Sequence, residues 1–144
     1  MAFVVLEVNM EREYKFRGWD AENQKMYYFN GIFNDRPYKE TSTWVQYESH
    51  KKYYNLAIME CSGLDDINDI DIYEGDIIPW DNYYFGDSLI KPGIGIVKYD
   101  NGSFYIKSID GNIFSPELCK EEIYNNQLKV AGNIYETPEL LQIA

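Results

Sequence analysis

Residues 93–107 read GIGIVKYDNGSFYIK, and this stretch indicates the fold class more clearly than any other part of the chain. On both sides of Asn101-Gly102 the side chains alternate between two sets with a period of two residues, which is the pattern of half-buried β-strands. Asn-Gly is the preferred pair for a type I′ turn, because both central residues need a positive φ angle. The stretch therefore predicts a β-hairpin that turns at residues 100–102.

Strand patterns also occur on both sides of this hairpin. Short alternating or apolar runs, rich in β-branched and aromatic residues, predict strands at 14–19, 25–29, 44–47, 56–61, 72–78 and 127–135. The first two strands form a second hairpin around a polar turn. Residues 34–43 and 81–93 are predicted to be loops, and Pro79 is predicted to end the strand before the second loop.

Two places carry the start signals of short helices. Ser115-Pro116-Glu117 supplies an N-cap, a proline at the first helical position and an acid in the first turn, which predicts a helix that ends near Asn125. Thr137-Pro138-Glu139 repeats these signals. No repeat or linker divides the 144 residues. The predicted fold is one mainly β (β-rich α+β) domain with short helices near the C-terminus.

The negative charge is concentrated in one part of the chain. The formal net charge is −11, and residues 53–90 contain nine Asp and Glu residues but no Lys or Arg. Such a field repels nucleic-acid backbones, so we expect no direct binding to duplex nucleic acid. The candidate partner-binding residues are the acids of this segment: Asp65, Asp66, Asp69, Asp71, Glu74 and Asp76. The alternative is that they form a solvated acidic loop without a partner.

The sequence offers no recognisable metal, cofactor or nucleophile site. His50 is the sole histidine, and Cys61 and Cys119 are too far apart in sequence to form a zinc motif. We therefore predict no catalytic, cofactor-binding or metal-binding residues. Two cysteines without a signal-peptide pattern, and no apolar run long enough to span a bilayer, predict a cytoplasmic protein that binds no membrane.

Glu74-Gly75-Asp76 is the most pointed arrangement of acids. A glycine between two acids could direct both carboxylates outward, as a carboxylate-dependent enzyme would need. The structural alternative is that Gly75 supplies a backbone angle that other residues avoid, at the point where a strand begins. The sequence favours the structural interpretation.

Four stretches together resemble the YopX family, small proteins of bacteriophages and prophages. Residues 13–20, EYKFRGWD, resemble its opening KFRAWD block, and SGL at 62–64 with IYEGDII at 72–78 is similar to TGL…EIYEGDIV. GIVKYDNGSFYI at 95–106 looks like its central hairpin, and VAGNIYETPELL at 130–141 looks like its closing GNIYENPELL. The resemblance implies an SH3-type β-barrel region and no known activity.

The resemblance also suggests where the domain begins. Met10 stands where the family usually starts, so residues 1–9 are expected to be an N-terminal extension and residues 10–144 a single YopX-like domain. Residues 65–71 lack the lysine- and glycine-containing turn usual in the family, which makes this loop more acidic. We expect residues 1–9 to be dispensable for folding.

Two functional hypotheses follow from the sequence. The favoured one is a non-enzymatic phage or prophage accessory protein that binds a basic host or phage protein. The alternative is a carboxylate-dependent hydrolase or nucleic-acid-processing enzyme that uses Glu74 and Asp76. The sequence does not identify the partner or the oligomeric state, and it is compatible with a homo-oligomer.

Overall fold

The computed structural model describes residues 15–30, 37–40, 56–81, 83–85, 87–110 and 118–142. The elements in chain order are β1 (Lys15–Asp20), β2 (Lys25–Asn30), β3 (Pro37–Glu40), β4 (Ala57–Asp65), β5 (Asp71–Tyr73), β6 (Asp76–Trp80), β7 (Tyr83–Phe85), β8 (Ser88–Ile90), β9 (Gly93–Asp100), β10 (Ser103–Ser108), α1 (Lys120–Asn125), β11 (Gly132–Asn133) and a 3₁₀ helix (Pro138–Leu141). The predicted class, mainly β with short helices near the C-terminus, is confirmed.

The first sheet has five antiparallel strands in the order β3-β2-β1-β4-β5. The predicted hairpin of β1 and β2 is present, with Trp19 opposite Met26. Residues two apart on a strand share a face, so Arg17 lies on the same face of β1 as Trp19. That face packs inward, where Trp19, Met26 and Met59 form a buried cluster.

The second sheet has four antiparallel strands in the order β10-β9-β6-β11. The predicted hairpin at residues 93–107 is confirmed as β9 and β10, and its turn residues Asn101 and Gly102 have φ angles of 50° and 81°. The larger buried cluster lies against this sheet and consists of Ile72, Ile78, Trp80, Val97, Ile106, Leu118, Ile123 and Leu128. One sheet curls into a half-barrel, consistent with the expected SH3-type region.

Three predictions about prolines and loops were wrong. Pro79 lies within β6 and does not end it. A proline is tolerated there because β11 pairs only with Asp76 and Ile77, which leaves the β6 edge beside Pro79 without a ladder partner among the described strands. The predicted loop at 34–43 contains the edge strand β3, and the loop at 81–93 contains the hairpin of β7 and β8.

The prediction for the C-terminal region was right in kind and wrong in extent. Helix α1 begins at Lys120, later than expected, although it ends at Asn125. The strand predicted for 127–135 is reduced to Gly132–Asn133. The 3₁₀ helix begins at Pro138, as predicted. Three predicted features lie outside the described residues: the extension at 1–9, the strand at 44–47 and the start signal at 115–117.

Candidate functional site

The turn Glu74-Gly75 joins the two sheets. Its amides donate hydrogen bonds to one strand of each sheet, Glu74 to Glu60 O on β4 at 2.9 Å and Gly75 to Val97 O on β9 at 2.8 Å. Gly75 has a φ of 87°, and an added Cβ would lie 3.1 Å from Met59 Sδ. A side chain would therefore meet both backbone strain and a close neighbour. The structural interpretation of this glycine is confirmed.

A buried ion pair lies directly beside this turn. Arg17 Nη2 on β1 is 2.7 Å from Asp76 Oδ1 on β6, and the side chains are 4% and 1% exposed. Arg17 Nη2 also donates to Glu74 O at 3.2 Å, and the Tyr73 amide donates to Asp76 Oδ2 at 2.7 Å. The guanidinium carbon of Arg17 lies 4.6 Å from the centre of the Tyr73 ring, in cation–π range. The pair thus connects the two sheets through charge, hydrogen bonds and an aromatic contact.

Burial controls the protonation of this site. Removal from water raises the pKa of Asp76 to about 6, although the Arg17 charge and the hydrogen bonds act in the opposite direction. Burial also raises the pKa of Tyr28, while the charge of Arg17 and a hydrogen bond with it lower that pKa. The carboxylate of Asp76 is therefore ionised at neutral pH but takes up a proton far more readily than an exposed aspartate.

A cavity of about 350 Å³ opens above the ion pair. Its walls come from both sheets and from the segment before the 3₁₀ helix: Arg17, Tyr28, Ile70, Asp71, Tyr73, Asp76, Val130, Gly132 and Asn133. The volume falls in the range of small-molecule and side-chain pockets. Three of the stretches that resemble the YopX family, at 13–20, 72–78 and 130–141, meet at this cavity.

Arg17 was not predicted from the sequence to be part of a site. The signal was present, because Arg17 is two residues from Trp19 on a predicted strand and therefore lies on the same face as this large apolar side chain. A charged residue in such a position needs a buried counter-charge. The identity of that counter-charge, Asp76, could not be obtained from the pattern, since the two residues are 59 positions apart.

Asp66, one of the predicted partner-binding residues, organises the acidic loop from inside. It is 4% exposed, and its Oδ1 accepts hydrogen bonds from the amides of Asn68 at 2.8 Å and Ile70 at 3.0 Å. Its Oδ2 accepts from the amide of Val130 at 2.9 Å, which ties the loop to the C-terminal region. The carboxylate is satisfied by backbone amides and fixes the loop between β4 and β5.

Three other predicted partner-binding residues form an acidic ridge at the surface, defined here as Asp65, Asp69 and Asp71. Asp65 and Asp71 are directly opposite in the β4–β5 ladder. The pKa of Asp65 is raised, chiefly because the protonated form of its carboxyl can donate a hydrogen bond to Asp71, and also by burial and by the negative charge of Asp71. Lys15 Nζ lies 3.1 Å from Asp71 Oδ2 and supplies a salt bridge at one end of the ridge.

The six candidates therefore divide by location. Asp65 and Asp69 are exposed, Asp71 is half-buried on the ridge, and Glu74 is half-buried at the turn. Asp66 and Asp76 are buried and hydrogen-bonded within the domain. The cavity brings Asp71 and Asp76 together. Within the described part of the chain no group of three or more His, Cys, Asp or Glu residues is placed to hold a metal ion, and no helix could cross a membrane.

The fold and the cavity define a small two-sheet β domain whose sheets are joined by a buried Arg–Asp pair. A family model described as YopX protein matches residues 15–142, and the chain belongs to the YopX family. Among solved structures, the chain is similar to protein EF1440 from Enterococcus faecalis, with 23% identity, a TM-score of 0.56, and coverage of 90% of this chain and 98% of that chain. This likeness supports the fold. No curated protein matches the chain significantly.

Proposed function

We propose that this protein is a non-enzymatic binding module that uses the acidic ridge to bind a protein with a basic surface. The observation that carries the proposal is the placement of Asp65 and Asp71 directly opposite each other in the β4–β5 ladder. Like charges in this arrangement destabilise a sheet. Lys15 forms a salt bridge with Asp71 and offsets part of that repulsion. A cationic partner would offset the rest, which would favour binding.

The distribution of charge supports the same conclusion. The ridge lies in the segment that contains no Lys or Arg, and Asp65 and Asp69 form no salt bridge with another described residue. Lys15 on β1 forms a salt bridge with Asp71, so the charges of the ridge without a described counter-ion are those of Asp65 and Asp69. A surface of this kind increases the rate of association with cationic partners, over a range of about 8–10 Å at physiological salt.

The loop that carries the ridge is held in place before any partner arrives. Asp66 binds three backbone amides, and the Asp66 amide donates to Ile70 O at 2.8 Å. Ile67 N also donates to Leu128 O at 3.1 Å. A surface that is already ordered loses little conformational entropy on binding, which raises affinity.

The acidic ridge does not include Asp66 and Asp76, two of the acids that the sequence predicted to bind a partner. Asp66 and Asp76 use both carboxylate oxygens inside the domain, so the proposal assigns them to the support of the surface. The same geometry gives the enzyme alternative no support, because Asp76 is 1% exposed and its two oxygens are bound to Arg17 and the Tyr73 amide. The proposed setting is the cytoplasm of a bacterium that carries the phage or prophage.

The test is the binding of a fluorescein-labelled octalysine peptide, followed by fluorescence anisotropy at about 50 mM and about 300 mM salt. The ridge variant is Asp65→Asn/Asp69→Asn. The matched control is Glu121→Gln/Glu139→Gln, which removes the same charge from two exposed residues of α1 and the 3₁₀ helix. We expect the ridge variant to lose about tenfold in affinity, and the control to lose less than about twofold.

The salt series gives a second criterion. Because ridge contacts are screened, the affinity of the natural sequence should fall steeply between the two salt concentrations, and that of the ridge variant less steeply. Equal affinities of the ridge and control variants would show that only net charge matters, and would overturn the proposal.

A further inference from the structure

The cavity and the acidic ridge share a wall. Asp71 belongs to the ridge and also lines the cavity, together with its neighbour Ile70. Ile70 is 51% exposed and therefore offers apolar surface next to the acids. A partner that contacts the ridge therefore also meets an opening of about 350 Å³.

The lining suits a long side chain with an apolar stem. Ile70 and Val130 supply aliphatic surface, and the rings of Tyr28 and Tyr73 supply aromatic surface, with their centres 5.8 Å apart at 73°. Lysine combines a flexible aliphatic stem with a compact charged head, and it packs its stem along such surfaces. Apolar walls next to a carboxylate match these two parts of the side chain.

The charges of the lining add up to one negative charge. Arg17 and Asp76 form an ion pair, so the remaining charge of the lining is that of Asp71, which also forms a salt bridge with Lys15 outside the lining. Lys15 shows that this carboxylate accepts an ammonium group, at 3.1 Å from Oδ2. A carboxylate has about four lone-pair positions, so Asp71 can accept a second donor.

An arginine fits this lining less well. A guanidinium prefers two acceptors in a fixed fork. Asp76, at the floor, is 1% exposed and offers almost no surface to a second guanidinium. Its Oδ1 and Glu74 O already bind Arg17, and its Oδ2 binds the Tyr73 amide. A single carboxylate beside an apolar wall suits the point charge of an ammonium group.

We infer that the cavity binds one lysine side chain of the basic partner, with its ammonium group at Asp71 and its stem against Ile70 and Val130. This inference rests on the proposed function and adds to it a defined pocket at one end of the acidic ridge. It predicts that filling the cavity weakens binding even when every charge is kept.

The experiment uses the labelled octalysine peptide with two variants that fill the cavity. Ile70→Trp and Val130→Phe enlarge an apolar side chain in the cavity wall and leave the charge unchanged. The matched control is Leu89→Trp, at a residue on β8 that is 53% exposed and does not line the cavity. We expect about a tenfold loss of affinity in the two cavity variants and less than about twofold in the control.

The outcomes separate this inference from the proposed function. If both cavity variants are folded and bind like the natural sequence while Asp65→Asn/Asp69→Asn binds weakly, the inference is overturned and the proposed function stands. If the cavity variants bind weakly and the ridge variant does not, the proposed function fails and the lysine pocket is supported.

A second measurement needs no variant and therefore does not depend on the folding of one. In the ¹⁵N-labelled natural protein, octalysine should shift the backbone amides of Ile70, Asp71 and Gly132, which surround the opening. Shifts that are confined to Asp65 and Asp69 would place the peptide on the ridge alone and overturn the inference. Octa-arginine should give smaller shifts at Gly132 than octalysine does.

Discussion

Asp66 and Asp76 are two buried aspartates of one acidic segment, and the domain stabilises them in different ways. Asp76 is balanced by a cation, Arg17, and by the Tyr73 amide. Asp66 is balanced by the amides of Asn68, Ile70 and Val130, and it forms no salt bridge with any described residue. Both buried carboxylates have partners, and at Asp66 backbone amides take the place of a counter-charge.

The two aspartates also act over different parts of the fold. Asp76 joins β6 of one sheet to Arg17 on β1 of the other, so its contacts connect the sheets. Two of the three bonds to Asp66 lie inside its own loop, and the third reaches Val130. Removing each carboxylate should therefore change the free energy of unfolding by a different amount and with a different dependence on pH.

The largest effect is expected at the sheet junction. Asp76→Ala leaves the buried guanidinium of Arg17 without its counter-charge and the Tyr73 amide without its acceptor, and should lower the free energy of unfolding by roughly 3–5 kcal/mol. Urea unfolding at neutral pH measures this change. Asp76→Asn keeps one acceptor oxygen but turns an NH2 group toward one of the two donors, so it should lose less stability than the alanine variant. A loss below about 1 kcal/mol in the alanine variant would contradict the importance of the pair.

The pH dependence of stability distinguishes the two aspartates further. Since burial raises the pKa of Asp76 from 3.8 to about 6, the native state binds this proton more tightly than the unfolded state. The stability from this group is therefore complete below the unfolded pKa and is lost as the pH rises through about 6. The loss amounts to at most about 3 kcal/mol by linkage.

Subtraction isolates this contribution from other titrating groups. Urea unfolding of the natural protein and of Asp76→Asn is compared from about pH 4 to about pH 7. The stability of the natural protein relative to the variant should decrease as the pH rises. A relative increase would mean that attraction to Arg17 outweighs the cost of burial, and the assignment of the raised pKa would be wrong.

Asp66 should give the next effect in size. Asp66→Ala leaves three backbone amides in and beside the loop without acceptors, and should lower the free energy of unfolding by about 2 kcal/mol. Asp65→Ala, at an exposed neighbour, is the matched control and should change stability by less than about 0.5 kcal/mol. Hydrogen exchange at Ile70 and Val130 should become faster in Asp66→Ala alone. Equal stability of Asp66→Ala and Asp65→Ala would show that Asp66 does not stabilise the domain in this way.

The smallest effect on stability is expected from the acidic ridge itself. Asp65→Asn/Asp69→Asn removes two exposed charges, one of them opposite Asp71, and should leave stability within about 0.5 kcal/mol or raise it slightly. Thermal unfolding in low salt checks this prediction. A clear loss of stability would show that Asp65 and Asp69 support the loop, as Asp66 does, and are not available only for binding.

Several local features could be predicted because their cause lies within a few residues. Asn101-Gly102 predicts the positive φ angles of its turn, and Gly75 was interpreted correctly as a backbone requirement. Pro79 and residues 34–43 were misread because the effect of a proline depends on whether a neighbouring strand needs its amide. That condition is set by the short pairing of β11 and by the edge position of β3.

The β-rich class, the central hairpin, the family resemblance and the concentration of acid between residues 53 and 90 could all be predicted from the amino-acid sequence. Which of these acids are buried and which are exposed depends on the tertiary structure. Arg17 lies 59 residues from Asp76, and Val130 lies 64 residues from Asp66. The burial of a carboxylate depends on partners that the chain brings together only when it folds, so the free energy of each charge is set by distant residues and not by its neighbours in sequence.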